Sequence, residues 1–142
     1  MNKEEKELLI KDLCARLPYG VKISVNNNIE KIDGISVLDN VIEYGSFLSC
    51  DVEEVKPYLF PLSSMTEEQM EELKELCNMF IPADYYPYYY WGIVVLYRHM
   101  LDDNYKFNLK TDVIDWFNKN HFDYMNLIEK GLAIDATSKN IY

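Results

Sequence analysis

Clustered basic charge is missing from this chain. Its 142 residues hold 14 Lys and Arg against 24 Asp and Glu, a net charge of -10. Counterion release at a phosphate backbone needs lysines and arginines gathered on one face, so duplex nucleic acid is a disfavoured partner. Glycine is scarce, with five residues, all isolated. No glycine-rich phosphate loop can be drawn from them. The three cysteines, Cys14, Cys50 and Cys77, are odd in number, widely spaced and without a CxxC pair. A disulfide framework is therefore not expected, and reduced thiols in a cytoplasmic protein are the simplest reading. Long apolar runs are absent too. The longest, Tyr85 to Tyr97, has thirteen residues and contains Pro87, against the ~20 that a spanning helix requires. The opening MNKEEKELLIKDL carries charge throughout, leaving no apolar core for a signal peptide. No membrane contact is expected.

What is present supports a packed globule. The apolar fraction is 49% and the aromatic fraction 14%, enough for a core without disulfide or metal. The reading is one α+β domain, with a helix and a β-meander in residues 1–62 and a helical part in 63–142.

Lys3 to Leu17 has Leu9, Ile10, Leu13, Cys14 and Leu17 at helical spacing, and Pro18 and Gly20 end it. Val21, Ile23 and Val25 then alternate with Lys22 and Ser24 as a half-buried strand. Asn26-Asn27-Asn28 makes a turn, because Asn tolerates positive φ. Ile29 to Val37 returns as a second strand with a bulge at Gly34. Val41 to Tyr44 and Phe47 to Val52 complete an antiparallel meander, which can close into an SH3-like barrel or stay an open sheet. Pro57 and Pro61 set an extended exit segment. Thr66-Glu67-Glu68-Gln69 reads as a capping box opening a helix to about Met79. Asp84 is placed to cap a long helix with Tyr86, Tyr89, Tyr90, Ile93, Leu96, Tyr97, Met100 and Leu101 on one face. The β-propensity of Tyr, Trp, Ile and Val supports a strand there instead, but the length and the Asp102-Asp103-Asn104 terminus favour helix. Thr111 caps a helix to Asn118, and Asp123 caps another over Tyr124 to Lys130. Gly131 serves as the C′ glycine of the latter.

Three blocks of this text resemble a family. DLCARLPYGVKISV (12–25), VEEVKPYLFPLSSMTEEQ (52–69) and DWFNKNHFDYMNLIEKGLAID (115–135) resemble segments found together in short uncharacterised proteins of intestinal bacteria and their prophages. The resemblance covers about half the chain and implies a bacterial, phage-linked intracellular protein. It implies no activity.

Catalytic and metal signatures are weak. His99, His121 and the three cysteines come singly from different elements, whereas a zinc site needs three or four ligands at workable spacing. Carboxylate pairs such as Asp102-Asp103 suit helix ends better than a catalytic dyad, so neither enzyme activity nor a cofactor is expected.

Two features point to binding. DYYPYYYWG (84–92) packs five tyrosines and a tryptophan into nine residues. One helix cannot bury six bulky rings on one side. Tyr86, Tyr89 and Tyr90 are expected inward, while Tyr85, Tyr88 and Trp91 form an exposed contact patch. The second feature is acidic. Residues 51–75 hold eight carboxylates and two lysines, and Glu67, Glu68, Glu71, Glu72 and Glu75 offer a face to a basic partner. The leading expectation is non-catalytic binding of a protein partner or of a second copy through the exposed part of Tyr85–Trp91, with the acidic helix Thr66–Met79 as a second face for a basic partner. The alternative is a nucleotide or single-stranded nucleic acid in an aromatic pocket, although such sites pair rings with basic grooves. Between Glu75 and Arg98 the only charge is Asp84. Acidic mimicry of nucleic acid is a third reading.

Overall fold

A computed structural model describes residues 1–78 and 111–142. The long segment expected as a helix after Asp84, with His99 and the Asp102-Asp103 pair, lies outside the described residues. The chain divides into two compact units, residues 1–64 with 117–142 and residues 65–116.

The first unit is α+β. Helix α1 spans Lys3–Arg16 and starts in a capping box between Asn2 and Glu5. Its six-stranded sheet has the order β4-β3-β2-β1-β5-β6. The strands are β1 Lys22–Val25, β2 Asn28–Ser36, β3 Val41–Tyr44, β4 Leu48–Asp51, β5 Val55–Leu59 and β6 Ile134–Asp135. All pairings are antiparallel except β5 with β6.

The expected meander is present, and asparagine sets its turns. Val25 pairs with Asn28 across a two-residue loop, with Asn26 and Asn27 at φ 50 and 64. Two consecutive left-handed residues match the right-handed twist of a hairpin, and Asn accepts that conformation at low cost. Along β2 the register shifts between Ile32 and Gly34, the bulge expected there. A Cβ on Gly34 would stand 2.6 Å from the Glu43 carboxylate, so a side chain is excluded while Glu43 keeps its place.

The sheet goes beyond the meander through β5, where an extended exit segment was expected. Val55 and Pro57 pair with Val25 and Ile23 of β1. Pro57 is tolerated because β6 meets β5 from Tyr58 onward, so the missing N–H interrupts no ladder on that side. From Pro57 to Leu59 strand β5 is buried on both faces, while Lys56 is exposed. Leu59 belongs to the main core with Leu9, Leu13, Ile23, Ile32, Ile42 and Val52, while Tyr58 packs with Ala136 and Ile141. At the end of the β1–β5 ladder the Tyr142 hydroxyl takes the place of a backbone bond. It accepts from the Lys22 N–H at 3.1 Å and donates to the Tyr58 carbonyl at 2.9 Å.

Two expectations for this unit are corrected. Cys14 is exposed, and the inward face of α1 carries Asp12 and Arg16 instead. Tyr124–Lys130 is not helical: only Leu127 to Lys130 forms a turn, and Asn126 at φ 56 breaks the helical path. Asp123 still caps that segment, its two carboxylate oxygens accepting from the Leu127 and Ile128 N–H groups at 2.8 Å each. Gly131 is left-handed at φ 72, as expected of a C′ glycine.

Asp12 and Arg16 are fully buried. Arg16 Nε donates to Asp12 Oδ2 at 2.8 Å, Nη2 to the Phe122 carbonyl at 2.8 Å and Nη1 to the Phe117 carbonyl at 3.5 Å. The guanidinium carbon also stands 5.2 Å from the Tyr124 ring centroid, within cation–π range. Burial pushes the Asp12 carboxyl above its ordinary range, against the pull of Arg16. Nearby, His121 sits at φ 57 and stacks on Tyr142 at 3.9 Å. Its pKa is pushed down to about 4, by burial first and then by the positive charges of Arg16 and Lys22.

Two outcomes follow for stability. Arg16→Leu strands a buried carboxylate and should cost about 3–5 kcal/mol in urea denaturation. Adding Asp12→Leu should recover part of that loss, since a buried ion pair is often replaceable by apolar groups. A double variant no more stable than the single one would contradict the pairing. His121 has a depressed folded-state pKa, so its stabilising contribution is complete above the unfolded pKa of ~6.5 and is lost as pH falls toward 4. Lowering the pH from 7 to 5 should therefore remove about 1 kcal/mol after allowance for partial solvent screening. His121→Asn, which suits a left-handed backbone, should flatten that slope in urea midpoints measured at both pH values.

Candidate interaction surface

The second unit carries the acidic segment. Helix α2 spans Glu67–Asn78. Its capping box forms as expected: the Thr66 N–H donates to Gln69 Oε1 at 2.9 Å, and the Gln69 N–H donates to Thr66 Oγ1 at 3.2 Å. The two side chains thereby satisfy two backbone donors at the helix start. Glu67 and Glu68 lie in the first turn, where the helix dipole favours negative charge.

At 100° per residue, Glu67, Glu68, Glu71, Glu72 and Glu75 cover about 140° of the helix circumference. All five are exposed, while Leu73, on the far side, is fully buried. The expected acidic face is therefore one continuous surface.

Helix α3, Thr111–Lys119, contributes a ring to this surface. The Trp116 Nε1–H donates to Glu72 Oε2 at 3.2 Å, although Trp116 itself is 9% exposed. Among the described residues, Glu72, Glu75, Leu76 and Trp116 line an open concavity of about 440 Å³. It combines an apolar floor with two carboxylates, so it can take the aliphatic stem of a lysine or arginine and hold its charged end. Trp116 went unnoticed in the sequence reading. The signal was its place on the apolar stripe of α3 with Val113 and Phe117.

The other named residues do not join this surface. Tyr85, Tyr88 and Trp91 lie outside the described residues, as does His99, and the side chain of Cys77 is likewise undescribed. His121 belongs to the first unit, buried against Tyr142. Cys14 is exposed, and Cys50 is half-buried on β4. Burial pushes both thiols above their ordinary pKa, with Glu54 and Asp51 adding to the effect at Cys50. Neither is an activated nucleophile, which needs a depressed pKa. Among the described residues, no group of three or more His, Cys, Asp or Glu is arranged to hold a metal ion. Nor is any described helix long and apolar enough to cross a membrane.

No family model, curated protein or solved structure matches the chain.

The capping box yields a direct expectation. Thr66→Ala should destabilise α2 by about 1 kcal/mol, read as a lowered urea midpoint. Thr66→Ser, which keeps the hydroxyl, should restore most of it. An unchanged midpoint for the alanine variant would remove the cap from the account of α2.

Proposed function

We propose that the protein is a non-catalytic interaction module whose α2 face binds a basic segment of a protein partner. The observation that carries this reading is the alignment of five exposed glutamates beside a concavity floored by Trp116 and Leu76. Like charges on one helix face repel one another and weaken the isolated helix. A cationic partner relieves that repulsion, and the apolar floor adds contact that charge alone does not give. Lysine and arginine suit such a site because their stems are apolar and their ends are charged. In this reading Tyr85, Tyr88 and Trp91 are further contact anchors. A phage-linked origin, implied by the resemblance of the three sequence blocks, is compatible with such a binding role.

The test is affinity capture with wild-type protein and with Glu68→Lys/Glu71→Lys/Glu75→Lys, which leaves the Glu72–Trp116 bond intact. The wild-type bait should retain basic proteins in a salt-sensitive manner, and the reversed bait should lose them. Thermal melting should differ little, since exposed substitutions usually fall within about 0.5 kcal/mol each. Retention of the same partners by both baits would sink the proposal. Capture of single-stranded oligonucleotides lost on Trp91→Ser would instead establish the aromatic-pocket alternative.

A further inference from the structure

The first unit presents a second surface, independent of α2. Strand β4 ends the sheet, and among the described residues β3 is its sole strand partner. An edge strand offers a row of backbone donors and acceptors to any extended chain. The surroundings of β4 are unusual for an edge left to water. Phe47, in the turn leading into β4, is 100% exposed, and Leu48 is 55% exposed. At the other end of β4 the Val52 N–H donates to the Asn40 carbonyl. That bond ties the strand to the β2–β3 turn, where Leu38 is 96% exposed and Val37 56%. Large apolar side chains thus bracket a four-residue edge.

Charge selects the occupant. Residues 28–54 hold seven carboxylates and one lysine. On the outer face of the hairpin, Glu43 stands opposite Ser49, and Asp51 ends the same row. Lys6 of α1 bridges Glu53 at 2.7 Å and reaches Asp51 at 4.0 Å, which offsets one of these charges; with Lys31 and Lys6 set against seven carboxylates the region stays net negative. Two copies of this edge would bring like charges together, whereas a basic chain would meet opposite ones. We propose that β4 is a docking edge for an extended, lysine- or arginine-containing peptide segment of another protein, added to the sheet as a further strand. Backbone bonds to β4 supply affinity, and alternate side chains supply specificity. One set of partner side chains continues the inner face beside Leu48 and Cys50. The other set carries the cations toward Glu43 and Asp51. Apolar residues at the ends of the segment meet Phe47 and Leu38.

The probe is a fluorescein-labelled short peptide alternating Val or Ile with Lys, titrated against the full chain and followed by anisotropy. Controls carry Glu in place of Lys, or N-methyl groups on alternate amides that block strand pairing. The lysine peptide should bind at least about tenfold more tightly than the Glu control, as charge complementarity requires. N-methylation should abolish binding, because pairing through the backbone is then lost. In amide NMR spectra the perturbed signals should cluster on β4. Phe47→Ser, at a fully exposed position, should keep the fold and weaken binding several-fold, and Glu43→Gln should weaken it at low salt. Equal binding of the Lys and Glu peptides, or indifference to N-methylation, would overturn the proposal. So would shifts confined to α2, which would assign the peptide to the helix face. A concentration-dependent dimer dispersed by Phe47→Ser would overturn it in favour of a second copy as occupant.

Discussion

The guanidinium of Arg16 is the constraint on which the first unit depends. A charge without solvent is tolerable only if its donors are all engaged, and here they are distributed over separate segments. Asp12 lies one turn back on α1, while the Phe117 and Phe122 carbonyls belong to the far end of the sequence. Phe122 in turn forms a parallel bridge with Phe60. The Phe60 N–H donates to the His121 carbonyl at 2.9 Å, and its own carbonyl accepts from the Asp123 N–H at 2.8 Å. Arg16 therefore fixes the loop that fixes the end of β5, and β5 carries β6. The arrangement has a cost: Asp12 Oδ1, Asn118 Oδ1 and His121 Nδ1 are buried without hydrogen-bond partners among the described residues. Each such atom forfeits solvation, so the network trades stability for a defined seating of three segments.

Much of this was legible in the sequence, and the reasons are local. The strands of the meander alternate in polarity, and their turns are built from residues that accept positive φ, such as Asn26, Asn27, Gly45 and Ser46. The Thr66–Gln69 cap needs four residues and no tertiary partner. Other features depended on contacts distant in sequence. Strand β5 read as an extended exit segment set by Pro57 and Pro61, because β6, the strand that completes its pairing, lies more than seventy residues on. The turns after Asp123 were read as a helix because a capping carboxylate is the same signal for one turn as for several. Asn126, the residue that breaks the path, also occurs within helices.

The buried ion pair was missed despite a visible pattern. Leu9, Asp12, Leu13 and Arg16 recur at i, i+3, i+4 and i+7, the stripe of a core-facing helix. Reading polarity before position placed Cys14 inward and left Asp12 and Arg16 to solvent. An acid and a base four residues apart on an apolar stripe deserve to be read as a candidate buried pair, because on that face they can hold each other.

That clamp also bears on the surface. Three cations of the first unit already have partners, one of them buried. Arg16 is buried with Asp12, Lys22 donates to the Ile141 carbonyl and sits 5.7 Å from the Tyr142 ring centroid, and Lys6 bridges Glu53. Carboxylates, by contrast, line α2 and surround β4. Arg16 and Lys6 each offset one carboxylate, Asp12 and Glu53, so the surplus of carboxylates around β4 and on α2 is left without them. A field of that sign acts at a distance set by the Debye length, ~8 Å at physiological salt. On the proposed reading it would steer cationic chains toward the surface before any contact forms. In the two proposals charge selects the class of partner, while the Trp116 concavity and the β4 edge differ in what they would hold, a side chain in one case and an extended backbone in the other.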